Sequence, residues 1–195
     1  MYRTAVMVVF LSTLGIIAAD LFLIRIPRHW RGQADAEPPA GSGLFGWLRV
    51  LVNTVGFLSL AAVAATGFST LLDKGNQMTG DRLIWHVSSA PAFALAAVGI
   101  TLFWAHRNRF AAADWNRLAS AGAWAVPLRK LFFWLAVALT VPTIVSIVAA
   151  MFPLFGTGDQ QELFFIHRCC APLLAGSGLL FAYFALVTWR ERSLD

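Results

Sequence analysis

Two histidines in this chain head the same phrase. One is Trp85-His86-Val87-Ser88-Ser89-Ala90-Pro91; the other, 81 residues on, is Ile166-His167-Arg168-Cys169-Cys170-Ala171-Pro172. Each histidine lies near the start of a long apolar stretch and is followed by two small residues, then Ala-Pro, with the proline five positions beyond it. Repetition of that kind sets two imidazoles in equivalent surroundings. A neutral imidazole offers one bare nitrogen to a metal, and a haem iron can take one such nitrogen from each face of the porphyrin. His86 and His167 therefore read as the two axial ligands of one b-type haem. A second reading stays open beside it. An intramembrane histidine also serves as a helix-to-helix hydrogen-bonding or proton-handling group, and the repeat can record the duplication of a bent-helix motif.

The elements that must carry these residues follow from composition. Of 195 residues, 58% are apolar and 13% charged, with a mean hydropathy of +0.68; a water-soluble domain carries about 25% charged residues. The chain reads as an all-α integral membrane protein. Five apolar runs, at about 4–26, 46–72, 83–105, 131–154 and 163–189, are long enough for a hydrocarbon core that takes roughly 20 helical residues to cross. The first is longer than the apolar core of a signal peptide and lacks a clear cleavage site, so it is expected to remain as a transmembrane helix. The organisation expected is residues 1–45 as an N-terminal helix and its connection, and 46–195 as a four-helix bundle with a short tail. The short connections leave no room for a soluble catalytic domain.

Lysine and arginine set the orientation. Arg25, Arg28, Arg31 and Arg49 follow the first run, Arg107, Arg109, Arg117, Arg129 and Lys130 follow the third, and Arg190 and Arg192 lie in the tail. The connection after the fourth run holds Asp159 and Glu162 and no base. The positive-inside rule then puts the amino terminus outside and the carboxyl terminus inside. Trp30, Trp47, Trp104, Trp134 and Trp189 fall at the predicted inner ends, and Phe110, Trp115 and Leu118 fit a short amphipathic helix along the inner surface. The net charge of +5 is thus a topology signal that flanks spans and forms no nucleic-acid patch. The adjacent Cys169 and Cys170 make neither a disulfide framework nor a Cys-x-x-Cys-His haem attachment, and read as small packing residues.

In this topology the third and fifth runs point the same way. His86 lies four residues after Arg82 and His167 five after Glu162, so each is expected roughly 6–8 Å along its helix. Small residues would let the helices stand around a flat macrocycle: Ser88, Ser89, Ala90 and Ala92 on one, Ala171, Ala175 and Gly176 on the other, and Gly67 near the end of the second run. Arg82 and Arg168 are candidates for the haem propionates or, equally, for lipid headgroups. The prolines cannot donate to the carbonyls of Val87 and Arg168, so both helices are expected to bend there. His106, twenty residues past His86, lies roughly 30 Å away and cannot serve the same iron. With His29 it reads as an inner-surface group or, less simply, as a second ligand pair. Asp20, inside the first run, requires a partner or a water path.

The second to fifth runs resemble the four-helix core of the cytochrome b561 family and its relatives, the cytochrome b subunits of nickel–iron hydrogenases and formate dehydrogenases. The resemblance is carried by Ala65-Thr66-Gly67-Phe68 closing the second run, by a third that starts at His86 and ends Leu102-Phe103-Trp104-Ala105-His106-Arg107, and by His167 near the start of the last. Those proteins usually hold two haems. The resemblance would place the inner pair of ligands at Asn53 and at Leu180 or Phe181, so both are absent here while the outer pair stays.

Together these features imply a membrane cytochrome subunit with one haem b near the periplasmic face of a bacterial inner membrane. It would pass electrons between the quinone pool and a periplasmic or complex-bound redox partner, as part of a complex more than as a stand-alone enzyme. Ser88, Ser89, Thr70 and Asp81 offer polar groups to a quinone without any one standing out. The competing class is a haem-free scaffold or transporter component built on two proline-interrupted helices.

Overall fold

In the computed structural model, the described residues are 8–9, 12–13, 15–17, 43–72, 78–119, 124–152 and 155–192, with backbone alone at 71–72, 118–119 and 189–192. They are helical, with no strand among them. The five helices are α1 (Leu44–Leu72), α2 (Asp81–Trp104), α3 (Ala112–Ala119), α4 (Ala125–Met151) and α5 (Thr157–Arg192). All but α3 are long and apolar enough to cross a membrane, which marks a multi-pass membrane protein. Of the first apolar run, residues 8–9, 12–13 and 15–17 are helical; the rest of it, with Asp20, His29 and Trp30, lies outside the described residues.

Helix boundaries differ from the apolar runs for a physical reason. Helix α5 starts at Thr157 because Gly156, Asp159 and the polar residues up to Glu162 continue the helix beyond the apolar stretch, with the Gln160 amide donating to the Gly156 carbonyl at 3.0 Å. Asp159 in this first turn complements the positive end of the helix dipole. Helix α4 likewise begins at Ala125, where Pro127 sits in the first turn and has no intrahelical donor to lose. Helix α2 is launched by Gly80 at φ 61°, a left-handed conformation that favours glycine; its carbonyl accepts from the amides of Leu83 and Ile84.

Two compact units divide the chain: residues 40–107 with 139–171, and residues 1–39 with 108–138 and 172–195. In the first, α1 and α2 pack closely through glycines. A Cβ on Gly56 would come within 2.6 Å of Ile100 Cδ1, and one on Gly99 within 2.8 Å of Val52 Cγ1. Hydroxyls in the apolar helices turn back onto their own backbone: Ser59 donates to Val55, Thr101 to Ala97 and Thr143 to Leu139, at 2.6–2.8 Å. Such bonds satisfy polar groups where water is excluded.

The second unit is tied by aromatic and ionic contacts. Phe132 stacks on the fully buried Phe184 at 5.9 Å and Phe133 packs on Phe181 at 5.6 Å. The predicted amphipathic helix is present as α3. Its buried Asp114 accepts from Lys130 Nζ and from the Ala111 amide, each at 2.7 Å. Burial pushes the Asp114 carboxyl up, but those two hydrogen bonds, with the charges of Lys130 and Arg117, outweigh it and hold the group below its ordinary value.

Two expectations follow. Gly99→Ala meets a stiff β-branched side chain and should cost about 1–3 kcal/mol, whereas Gly56→Ala meets the movable tip of Ile100 and should cost less; thermal midpoints in detergent give the order. Because Asp114 is held below its ordinary value, its contribution to stability is complete above that value and is lost as pH falls through the lower, folded one. The thermal midpoint should therefore drop more steeply below about pH 4 in the parent chain than in Asp114→Asn.

Candidate functional site

The site lies where four helices of the first unit meet. Thr66 and Gly67 come from α1, His86 from α2, Thr143 from α4 and His167 from α5. The two imidazole rings meet edge-on in a T-shape, with centroids 6.4 Å apart and planes at 83°. The sequence repeat thus brings its two histidines together, although their depths along the helices differ. Five residues precede His86 in α2 and ten precede His167 in α5, about 7 and 15 Å of rise. The difference is the polar start of α5 before Glu162; counted from Arg82 and Glu162, the offsets of four and five residues agree.

Each ring is oriented from behind by an oxygen of the preceding long helix. His86 Nδ1 lies 2.9 Å from Thr66 Oγ1. That hydroxyl also lies 2.7 Å from the Ala62 carbonyl; with its proton donated there, the oxygen accepts and Nδ1 donates. His167 Nδ1 lies 2.9 Å from the Thr143 carbonyl oxygen, which can only accept. His167 is therefore held with its proton on Nδ1, and His86 takes the same state when Thr66 donates to Ala62. A neutral imidazole so held has a bare lone pair on Nε2. The His86 ring also lies within hydrogen-bonding reach of the Val63 carbonyl on α1.

Gly67 stands directly beside this pair. A Cβ there would lie 3.6 Å from His86 Cε1, the carbon bonded to Nε2; a methyl fits, and a larger side chain would reach across the ring. Arg82, half-buried, precedes His86 by four residues and so shares its helix face. Arg168 is exposed and follows His167 directly, about 100° around the helix. Of the small residues expected to line a slot, Gly176 is placed elsewhere. It belongs to the second unit, where its Cβ would meet Thr13 Oγ1 at 3.0 Å and Val9 Cγ1 at 3.4 Å. Ser89 donates to the Trp85 carbonyl and Thr70 to the Gly67 carbonyl, both at 2.7 Å, while Ser88 and Asp81 are exposed. His106 is exposed beyond the end of α2.

Asn53 accepts from Trp104 Nε1 at 3.1 Å, while Leu180 and Phe181 belong to the buried aromatic packing of the second unit. Among the described residues no three His, Cys, Asp or Glu side chains gather to hold a metal on their own. A metal that arrives with a planar set of its own donors needs only two ligands from the chain. No family model, curated protein or solved structure matches this chain. What the site can do rests on its own geometry.

Thr66 and Thr143, which orient the rings, were not singled out by sequence for that role. Thr66 stands in the noted Ala65-Thr66-Gly67-Phe68 segment; Thr143 acts through its main chain, which residue type does not reveal. The tautomer assignment is testable by ¹⁵N NMR of histidine-labelled protein in detergent. Both rings should show a protonated Nδ1 and bare Nε2. Thr66→Val should abolish that preference at His86 alone, and Thr66→Ser should keep it.

Proposed function

We propose that the chain is a membrane b-type cytochrome subunit carrying one haem between His86 and His167. The observation that supports this most is the meeting of the two imidazoles, centroids 6.4 Å apart, each with an oxygen 2.9 Å from Nδ1. A metal bonded to two opposed imidazole nitrogens at roughly 2 Å sets the ring centroids on the order of 6 Å apart, and the separation here is 6.4 Å. Donation of Nδ1–H to an oxygen is the usual outer partner of a metal-bound histidine, raising ligand basicity and fixing ring rotation. When bound, the haem supplies one-electron redox chemistry; the chain supplies ligands, an apolar setting and local charge.

The residues divide these tasks. Thr66 and the Thr143 carbonyl hold the rings, and Gly67 keeps the space beside Cε1 open. Arg82, on the His86 face of α2, and Arg168, at the exposed side of α5, are the candidate partners of propionates. In this reading the cytochrome b561-like resemblance extends to the outer haem only. The histidine pair lies near the amino ends of α2 and α5, which the positive-inside rule assigns to the periplasmic side of a bacterial inner membrane. One haem there suits exchange of electrons between quinol in the outer half of the bilayer and a periplasmic or complex-bound redox partner, more than a wire across the membrane.

The first test is the reduced-minus-oxidised visible spectrum of the detergent-purified chain, with haem stoichiometry by pyridine haemochrome. About one b-type haem per chain is expected, lost in His86→Ala and His167→Ala. Gly67→Leu should lower haem content strongly while Gly67→Ala retains it. A folded, colourless chain produced with haem available would overturn the proposal and return the bent-helix scaffold or transporter reading.

A further inference from the structure

We propose that α3 and its flanks form an interfacial binding surface for anionic phospholipid headgroups, independent of whether the chain carries haem. The segment between the long helices α2 and α4 is short, so α3 is held at the level where the chain leaves and re-enters the membrane. Between Ala105 and Lys130 the sequence has Arg107, Arg109, Arg117, Arg129 and Lys130 against a single acid, Asp114. That acid is already committed: it is buried and accepts from Lys130 and from the Ala111 amide. Arg117 adds its charge to the same carboxylate, and the segment as a whole keeps a clear excess of bases over acids.

The second observation is aromatic. With Asp114 turned inward, its neighbour Trp115 is 63% exposed and stacks on Phe110 at 5.6 Å, with the rings 25° apart. A large exposed indole beside a phenyl ring is poorly placed in water. It suits the headgroup layer, where the ring meets apolar matter and its N–H stays wet. Arg109, exposed, and Arg117, half-buried, lie on either side of the pair in sequence, and guanidinium groups pair with phosphate through two parallel hydrogen bonds. The excess of bases selects a net-negative headgroup over a zwitterionic one. The Asp114–Lys130 bond ties this helix to the start of α4.

The test uses the full chain in nanodiscs of phosphatidylcholine with or without phosphatidylglycerol. Lipids brominated near the headgroup should quench a fluorescence component that disappears in Trp115→Phe, and lipids brominated deep in the chains should not. Mass spectrometry of retained lipid should show phosphatidylglycerol enriched over phosphatidylcholine. Arg109→Gln and Arg117→Gln together should cut that enrichment by about fivefold per arginine, and the corresponding Lys variants should keep most of it. If the Trp115 component is quenched by aqueous acrylamide and not by lipid, the surface faces water or a protein and the proposal fails. It also fails if enrichment is the same in the Gln pair, with folding verified by size-exclusion profile and circular dichroism.

Discussion

An imidazole placed among apolar helices has two nitrogens to account for, and no bulk water to account for them. That constraint organises the centre of this protein. The helices supply one oxygen to each ring, a threonine hydroxyl to His86 and a main-chain carbonyl to His167. In each case the oxygen reaches Nδ1. A proton on Nδ1 leaves the other nitrogen of each ring as a lone pair. A nitrogen left bare in this way can ligate a metal. An iron with four equatorial donors of its own is the metal we propose.

The packing around the pair follows the same economy. Serine and threonine hydroxyls inside the long helices bond to carbonyls three or four residues back, which removes them as competitors for the rings. Thr66 is the exception, since its oxygen accepts while its proton is donated backwards. Close approach of α1 and α2 depends on Gly56 and Gly99, and this approach sets Thr66 and Gly67 against His86. Where the resemblance would place an inner ligand pair, the residues have other work: Asn53 binds Trp104, and Phe181 packs on Phe133.

The fold was legible in the sequence wherever length and apolar content decide the matter, as in the four long helices. It was less legible at their ends. Thr157 to Glu162 is helical yet largely polar, and the start of α4 holds Pro127 and the charged Arg129 and Lys130, so hydropathy placed both starts too late. The meeting of His86 and His167 could be read from the repeated phrase because repetition encodes equivalent surroundings. Gly67 could be read as space. Gly176 could not be distinguished from it, because small size shows that something approaches closely without showing what. The role of Thr143 was illegible, since every residue in a helix presents the same main-chain carbonyl.

Each half of the ring pair belongs to one helical hairpin. Thr66, Gly67 and His86 lie within α1 and α2, while Thr143 and His167 lie within α4 and α5, with only α3 and its flanks between. During synthesis the first hairpin can enter the membrane and set its histidine against Thr66 before the second has left the ribosome. The facing of the rings then waits on the later docking of two preformed pieces. Biogenesis of this protein is thus an ordered assembly within one chain, in which the last step of insertion is also the step that creates the paired site.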